Sequence, residues 1–122
     1  MHKIVKVSHS TQSEKFEKVC IDIVNVCNLL AVNLLKVEKY EQAEALLHKS
    51  KEMAANNEKG LAMTFNNLAI YYRKKGHLRN ALISLESALD IESKHEDTEA
   101  KAETHLNTCA VLSELSYHDL AL

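Results

Sequence analysis

The stretch from Asn66 to Ile91 reads NNLAIYYRKKGHLRNALISLESALDI and decides the fold. Apolar residues before and after its glycine recur at steps of three and four, which places them on one face of a helix. Gly76 separates the two halves, and glycine supplies the left-handed backbone with which many helices end. Alanines on both sides of the glycine allow the helices to approach closely. The stretch therefore predicts a helix hairpin, which needs neighbouring elements to bury its apolar face.

The composition of the whole chain favours an all-helical protein. Its 122 residues include no proline and only two glycines, and 46% are hydrophobic. Seventeen acidic residues against 15 basic ones give a net charge of −2. This balance disfavours binding to nucleic acid or to an anionic membrane through bulk charge. We therefore expect neither as a partner.

The cysteines and the N-terminus indicate an intracellular protein. Cys20, Cys27 and Cys109 are widely spaced within apolar helical patterns, so we expect reduced, buried thiols rather than a disulfide framework. The N-terminal residues do not resemble a signal peptide. The most apolar stretch, residues 29–35, is too short to span a bilayer.

Periodicity divides the chain into successive helices joined by short turns. The pattern Thr11-Gln12-Ser13-Glu14 predicts a capping box that starts the first helix, after a flexible tail over residues 1–11. Asn57 is expected to cap the third helix, and a break is expected at Ser116-Tyr117. The predicted helices are about 12–37, 40–55, 58–75, 78–94 and 98–115, with a sixth beginning at 119.

The chain repeats itself at the three predicted elbows. Residues 40–43, 78–81 and 118–121 each end in an alanine at the same place in the second helix. The steps between these alanines are 81 − 43 = 38 and 121 − 81 = 40 residues. The repeat divides a helical domain at 12–122 into units of about 12–57, 58–96 and 97–122, the last incomplete.

The middle unit resembles the tetratricopeptide repeat family. The residues that carry the resemblance are Phe65, Leu68, Ala69, Tyr72, Gly76, Ala81, Leu85 and Ala88. Departures are Ser93 in place of the closing proline, Glu38 and Ser116 in place of glycine, and Ser50 in place of alanine. The resemblance implies an all-α, right-handed α-solenoid of antiparallel helix hairpins with about 2.5 repeats. The long steps are similar to the extended repeats of kinesin light chains and, more weakly, to repeats of large ciliate proteins.

The resemblance also implies where a ligand binds. In such solenoids the first helix of each unit lines a groove that holds protein segments. The implied groove residues are Asn28, Asn67, Arg73, Lys74 and Asn107. For Asn67 and Asn107 an alternative stays open, namely that they are surface residues bonded to their own helix. Binding of a C-terminal carboxylate is disfavoured, because the corresponding groove positions hold Asn28, Val32, Glu103 and Asn107.

No catalytic or cofactor motif is present in the sequence. His105 and Cys109 are four residues apart and could supply two zinc ligands, but Cys109 is better explained as a small packing residue. We therefore expect no enzyme activity, no metal and no cofactor. The leading hypothesis is a noncatalytic scaffold that binds protein segments within a larger assembly.

The third unit stops after the first residues of its second helix. Its first helix is then expected to expose Leu106, Cys109 and Leu112, so the chain is interpreted as a fragment of a longer protein or as one capped by a partner. This end motivates a second hypothesis, a structural subunit packed into a cytoskeletal or ciliary complex through its convex face or its open C-terminal end. The expected location is the cytoplasm or cytoskeleton, including the ciliary axoneme.

Overall fold

A computed structural model describes the backbone of residues 2–121 and the side chains of residues 12–117. Within these residues the chain forms five α-helices and no strand. The all-α arrangement of helix hairpins expected from the sequence is confirmed. The helices are α1 (His2–Lys36), α2 (Tyr40–Met53), α3 (Glu58–Lys74), α4 (Leu78–Glu92) and α5 (Thr98–Ala121).

Each hairpin is closed by the first helix of the next unit. Helix α1 packs on α2, α3 packs on α4, and the single helix α5 packs on both α3 and α4. The first core cluster joins α1 and α2 to Leu68 and Tyr71 of α3, and the second joins α3 and α4 to Val111 of α5. Because burial of one such side chain contributes about 1.5–3 kcal/mol, neighbouring units stabilise one another.

The two elbows have the same backbone geometry. Glu38 and Gly76 both adopt the left-handed conformation, with φ of 62° and 80°. The N–H of Lys39 donates to Leu34 O at 2.9 Å, and 38 residues later the N–H of His77 donates to Tyr72 O at 2.8 Å. This pairing is the Schellman ending of a helix. The expected helix end at Gly76 is confirmed, and Glu38 performs the same turn without being glycine.

The cap expected for α3 is also confirmed. The Oδ1 atom of Asn57 accepts a hydrogen bond from the N–H of Gly60 at 3.1 Å. A side-chain oxygen at this position satisfies one of the amides that a helix start leaves unpaired. Asn57 therefore fixes the point at which α3 begins.

The predicted start of the first helix is wrong. Helix α1 begins at His2 rather than at residue 12, so the pattern at Thr11 lies inside a helix. Residues 1–11 contain neither glycine nor proline, and nothing in their backbone chemistry forces a break there. The expected flexible tail thus has a helical backbone from His2, and its side chains lie outside the described ones.

The predicted break at Ser116-Tyr117 and the elbow at 118–121 are also wrong. Helix α5 continues through them to Ala121. The other two elbows each need one residue with positive φ, and none of the described residues from Thr98 onward adopts it. The third unit is therefore a single helix in this structure.

The straight course of α5 changes the surroundings of its apolar residues. Leu106 is 71% exposed, and Leu112 and Cys109 are exposed as well, as the unfinished unit led us to expect. The prediction that all three cysteines are buried holds for Cys27, but Cys20 is only partly buried and Cys109 is exposed. Cys109 was expected to be a small packing residue of its unit, but α5 continues as one helix to Ala121 and leaves Cys109 exposed.

Candidate functional site

The most extensive polar cluster among the described side chains centres on Asn28 of α1, which is 1% exposed. Its Nδ2 atom lies 2.9 Å from Val24 O, 2.9 Å from Ser50 Oγ and 3.0 Å from Thr64 Oγ1. Its Oδ1 atom accepts a hydrogen bond of 2.8 Å from Asn67 Nδ2. One buried carboxamide therefore connects α1 with both α2 and α3.

The hydroxyl protons of this cluster have one consistent arrangement. Thr64 Oγ1 donates to Gly60 O at 2.8 Å, which uses the only proton of that hydroxyl. The 2.9 Å contact between Ser50 Oγ and Thr64 Oγ1 is then donated by Ser50. Ser50 in turn accepts from Asn28. Each buried polar side chain in the cluster has a partner, which is the condition under which such groups stabilise a fold.

The same arrangement recurs one unit later around Asn66, which stands 66 − 28 = 38 residues after Asn28. Asn66 Nδ2 donates to Thr104 Oγ1 at 2.7 Å and approaches Ala62 O at 3.4 Å. Its Oδ1 atom accepts from Asn107 Nδ2 at 3.1 Å. This second cluster connects α3 with α5 as the first connects α1 with α3. Of the two adjacent asparagines, Asn67 bonds to α1 of the preceding unit and Asn66 bonds to α5 of the following unit.

One member of the cluster differs between the units. The residue 38 positions after Ser50 is Ala88, which is fully buried and has no hydroxyl to offer. The second cluster therefore joins first helices only, whereas the first cluster also includes the second helix of its hairpin.

The structure separates the five residues expected in a binding groove. Asn28 and Asn67 are buried and bonded to each other, and Asn107 is partly buried and bonded to Asn66. The alternative of surface asparagines bonded to their own helix is therefore wrong for Asn67 and Asn107, whose side-chain hydrogen bonds cross between helices. Whether any of them also contacts a ligand stays a prediction.

The two basic groove candidates are exposed near the end of α3. Arg73 is paired with Glu114 of α5 through a short contact between Nε and Oε1, and both side chains are partly exposed. Lys74 is exposed and has no ion pair within the described part of the chain. A ligand at this end would meet a free ammonium group and a guanidinium group that already has a carboxylate partner.

An open cavity of about 390 Å³ lies at the other end of the α3–α5 interface. The beginnings of α3 and α5 and the end of α4 line it. We call it the acidic cavity, because Glu92, Asp97, Glu99 and Glu103 are among its lining residues. On its edge, His95 Nε2 lies 2.7 Å from Glu58 Oε2, a contact that ties the α4–α5 turn to the start of α3.

The carboxylate of Glu92 stands out within the acidic cavity. Glu92 is 6% exposed, and its buried Oε1 atom has no hydrogen-bond partner among the described residues. The sequence did not single out this residue, since it continues an ordinary helical pattern at the end of α4. The repeat held one signal, because the position 92 − 38 = 54 is a fully buried alanine.

Helix α1 presents a long apolar surface away from its own hairpin. Phe16, Val26 and Leu30 are among its exposed large side chains. The section Gln12–Lys36 is long and apolar enough to cross a membrane by length and composition, since 18 consecutive residues within it have a mean hydropathy of 1.7, and 28% of these 18 are buried. This section is much longer than the 29–35 stretch considered from the sequence, although core helices of soluble proteins also meet the same criterion.

Comparison with known proteins gives one match. A family model described as Tetratricopeptide repeat matches residues 22–94, which include α2, α3, α4 and the second half of α1. No curated protein and no solved structure matches the chain. The matched range ends before α5, so it contains one side of the acidic cavity and all of the Asn28 cluster.

Proposed function

Because the chain belongs to the tetratricopeptide repeat family, we propose that it is a noncatalytic scaffold that binds protein segments within a larger assembly. Repeats of this family generally mediate interactions between proteins, and the family is a noncatalytic one. The proposed binding surface is formed by α3 and α5, the first helices of the second and third units. The proposed location is the cytoplasm or cytoskeleton, with neither nucleic acid nor membrane as a partner.

The observation that supports this proposal is the acidic cavity between the two first helices. Asn66 and its partners on α5 hold the helices in a fixed register, and the open cavity of about 390 Å³ lies beside them. A cleft whose walls are already ordered loses little conformational entropy of its own when a ligand binds. Asn67 lines this cavity, so of the expected groove residues it is the best placed for ligand contact there. Lys74 and Arg73 would contact a segment that continues along α3.

The proposal is tested by selecting binding peptides from a library of random dodecapeptides displayed on phage. Synthetic versions of the selected peptides are then measured by fluorescence anisotropy. Ala100→Trp places a large ring in the cavity wall and is expected to weaken binding at least tenfold. The matched control is Ala45→Trp on the exposed face of α2, which should leave binding unchanged. Equal binding to both variants would place the ligand elsewhere, and failure to select any peptide would count against the proposed function.

A structural packing subunit is the second candidate, and the exposed apolar face of α5 favours it. Leu106, Cys109 and Leu112 are exposed along this helix, where an added helix could pack as the second helix of a hairpin. In a cytoskeletal or ciliary complex, a neighbouring subunit would supply that helix. Leu106→Glu should then abolish assembly while the affinity for peptides stays unchanged. A groove-binding scaffold predicts the reverse, with loss of function from Ala100→Trp alone.

A further inference from the structure

We propose that the acidic cavity binds a long basic side chain, lysine or arginine, of a protein segment. This inference rests on the proposed function and names the chemistry that the site recognises. Glu92 supplies the first observation. Only 6% of the surface of this residue is accessible to solvent, and its Oε1 atom has no hydrogen-bond partner among the described residues.

A buried carboxylate oxygen without a partner is costly, because it has lost water without gaining a compensating charge or hydrogen bond. A cation that enters the cavity removes this penalty. The lysine and arginine side chains are the two permanent cations of a protein, and guanidinium also forms paired hydrogen bonds with a carboxylate. Glu92 is therefore the expected partner of the entering charge.

The repeat shows that packing does not require an acid at this position. The equivalent residue in the first unit is Ala54, which is fully buried at the end of α2. A small apolar residue thus completes the same place in the same kind of hairpin. Helix packing therefore does not explain why this position holds a carboxylate. Because the carboxylate of Glu92 lies beside an open cavity, ligand binding explains it instead.

The charges around the cavity favour a cation as well. Asp97, Glu99 and Glu103 also line it, whereas Lys59 is the only lysine or arginine that does. Lys59 is exposed and has no ion pair within the described residues. The remaining negative potential attracts a basic side chain and repels an acidic one.

The walls of the cavity match the stem of such a side chain. Ala62, Met63, Ile91 and Ala100 provide apolar surface beside the carboxylates. Lysine and arginine place their methylene groups along apolar surfaces while the charged end finds a polar partner. The volume of about 390 Å³ also lies within the range of ordinary ligand sites. The combination selects a long basic side chain over a small inorganic cation.

The test uses three capped pentapeptides with alanine at every position except the centre, which holds arginine, lysine or citrulline. Each is titrated into the ¹⁵N-labelled full chain, and amide shifts are followed by NMR. The arginine or lysine peptide should shift the signals of Glu92, His95 and Ala100 saturably. Citrulline keeps the shape of arginine without its charge, so its peptide should bind at least tenfold more weakly. The two basic peptides together show which cation is preferred.

Two variants with the same change of charge complete the test. Glu92→Gln is expected to weaken binding of the better basic peptide at least fivefold. Glu86→Gln, at an exposed position of the same helix, should leave it unchanged. Circular dichroism checks that both variants fold. If Glu92→Gln does not fold, Glu92→Ala replaces it in the titration. Equal binding of citrulline, or binding that does not respond to Glu92, would overturn the proposal.

The library selection separates this result from the proposed function. Selected peptides that bind the wild type and Glu92→Gln equally well would overturn the basic-side-chain inference and leave peptide binding intact. A library that yields no binder would count against the proposed function, while the pentapeptide titration would still decide the chemistry of the cavity.

The apolar surface of α1 carries an independent inference: we infer that two copies of this chain pair through it. The exposed large residues that form the surface follow alternating steps of three and four, which is the heptad spacing of a seam between two helices. We call this set the α1 seam. Its members are Phe16, Val19, Ile23, Val26 and Leu30 of α1 and Val37 in the turn that follows, with Asn33 at the remaining heptad position.

Helix α1 extends well beyond the first helix of the second unit. Helix α3 begins at Glu58, and the equivalent position in the first unit is 58 − 38 = 20. Helix α1 is already helical from His2 through this position. The α1 seam is exposed along its length, and none of the described helices covers it.

The size of the α1 seam suits a dimer. With ordinary side-chain areas of roughly 150–200 Å², its exposed apolar surface is about 500–700 Å² per copy, and a stable interface buries about 600–1,000 Å² on each side. A parallel pair places Asn33 against Asn33 of the second copy, where both amides find partners. An antiparallel pair in which Ile23 faces Val26 would place Asn33 against Phe16 and leave the amide unsatisfied. We therefore expect the parallel arrangement.

Analytical ultracentrifugation of the full chain tests the pairing. The wild type should sediment as a dimer at micromolar concentration, and Val26→Glu as a monomer. Ile83→Glu changes another exposed apolar residue, on α4, and should stay dimeric. In a background with Cys20→Ser and Cys109→Ser, which removes both accessible thiols, Asn33→Cys should form an intermolecular disulfide if the helices are parallel. A monomeric wild type would overturn the inference. If the monomeric wild type floated with phosphatidylcholine vesicles and Val26→Glu did not, the α1 seam would bind lipid instead of a second copy.

Discussion

Replacement of Asn28 by alanine tests the buried polar cluster most sharply. The substitution removes the donor of Ser50 and Thr64 and leaves the Nδ2 group of Asn67 without its acceptor. A buried polar group that loses its partner costs about 1–3 kcal/mol. With one amide orphaned and two hydroxyls losing a donor, we expect a loss of about 3 kcal/mol in the free energy of unfolding. For a chain of this size that is a decrease of roughly 10–15 °C in Tm.

Urea unfolding followed by circular dichroism measures this loss. Ser50→Ala is the internal control, because Ala88 already occupies the equivalent buried position of the second unit; it should cost less than about 1 kcal/mol. A double-mutant cycle between Asn28 and Asn67 should give a coupling of at least about 1 kcal/mol. An Asn28→Ala variant within 1 kcal/mol of the wild type would refute the view that the cluster holds the units together.

Three further predictions concern the elbows, a cap and a phenol. Glu38→Gly should raise the free energy of unfolding by about 1 kcal/mol, since glycine has no penalty at φ 62°. Gly76→Ala should lower it by about 1 kcal/mol through its positive φ, although no atom lies within 4 Å of the added Cβ. Urea unfolding measures both changes. Asn57→Ala should cost about 1 kcal/mol through loss of the α3 cap, in the same assay. Burial, and then the nearby carboxylate of Glu44, raise the pKa of Tyr71 to about 12 from 10.0. As pH rises, the unfolded state therefore loses this proton first, so the stability contributed by the neutral phenol is present below pH 10 and lost between pH 10 and 12. Tyr71→Phe should remove this part of the pH dependence of the free energy of unfolding. An unchanged pH profile would contradict the raised pKa of Tyr71.

The hairpins could be predicted from the sequence because local signals and packing agree there. Gly76 and the spaced alanines of the second unit specify both a turn and a close helix contact, and the structure has them. The first elbow was also placed, because the apolar period breaks near Glu38 and Lys39, although Glu38 gives no local signal for a left-handed turn. The register with the second elbow then agreed with this placement.

The two ends of the domain were harder to predict, because the same residues fit either a break or a continued helix. Thr11 starts a valid capping pattern, and Ser116 marks a gap in the apolar period, yet α1 and α5 run through them. Neither place contains glycine or proline, and a lone register match does not enforce a turn. The expected elbow at 118–121 rested on the register of Ala121 and on the expected break at Ser116-Tyr117.

The binding site shows what sequence can and cannot supply. The asparagines were singled out as groove residues, but the sequence does not state whether an amide faces solvent or a neighbouring helix. Asn28 has its partners at Ser50 and Thr64, which lie far along the chain and become neighbours only when the hairpins stack. Glu92 was missed for the same reason, since its burial depends on α3 and α5 closing over the end of α4.

The central claim, that this chain binds protein segments between α3 and α5, is tested most directly by hydrogen–deuterium exchange with the tightest peptide from the library. The peptide should protect amides within residues 59–67 and 99–107, which contain the cavity wall, and Ala100→Trp should abolish the protection. Protection confined to α1 or α2, or protection that survives in Ala100→Trp, would contradict the claim.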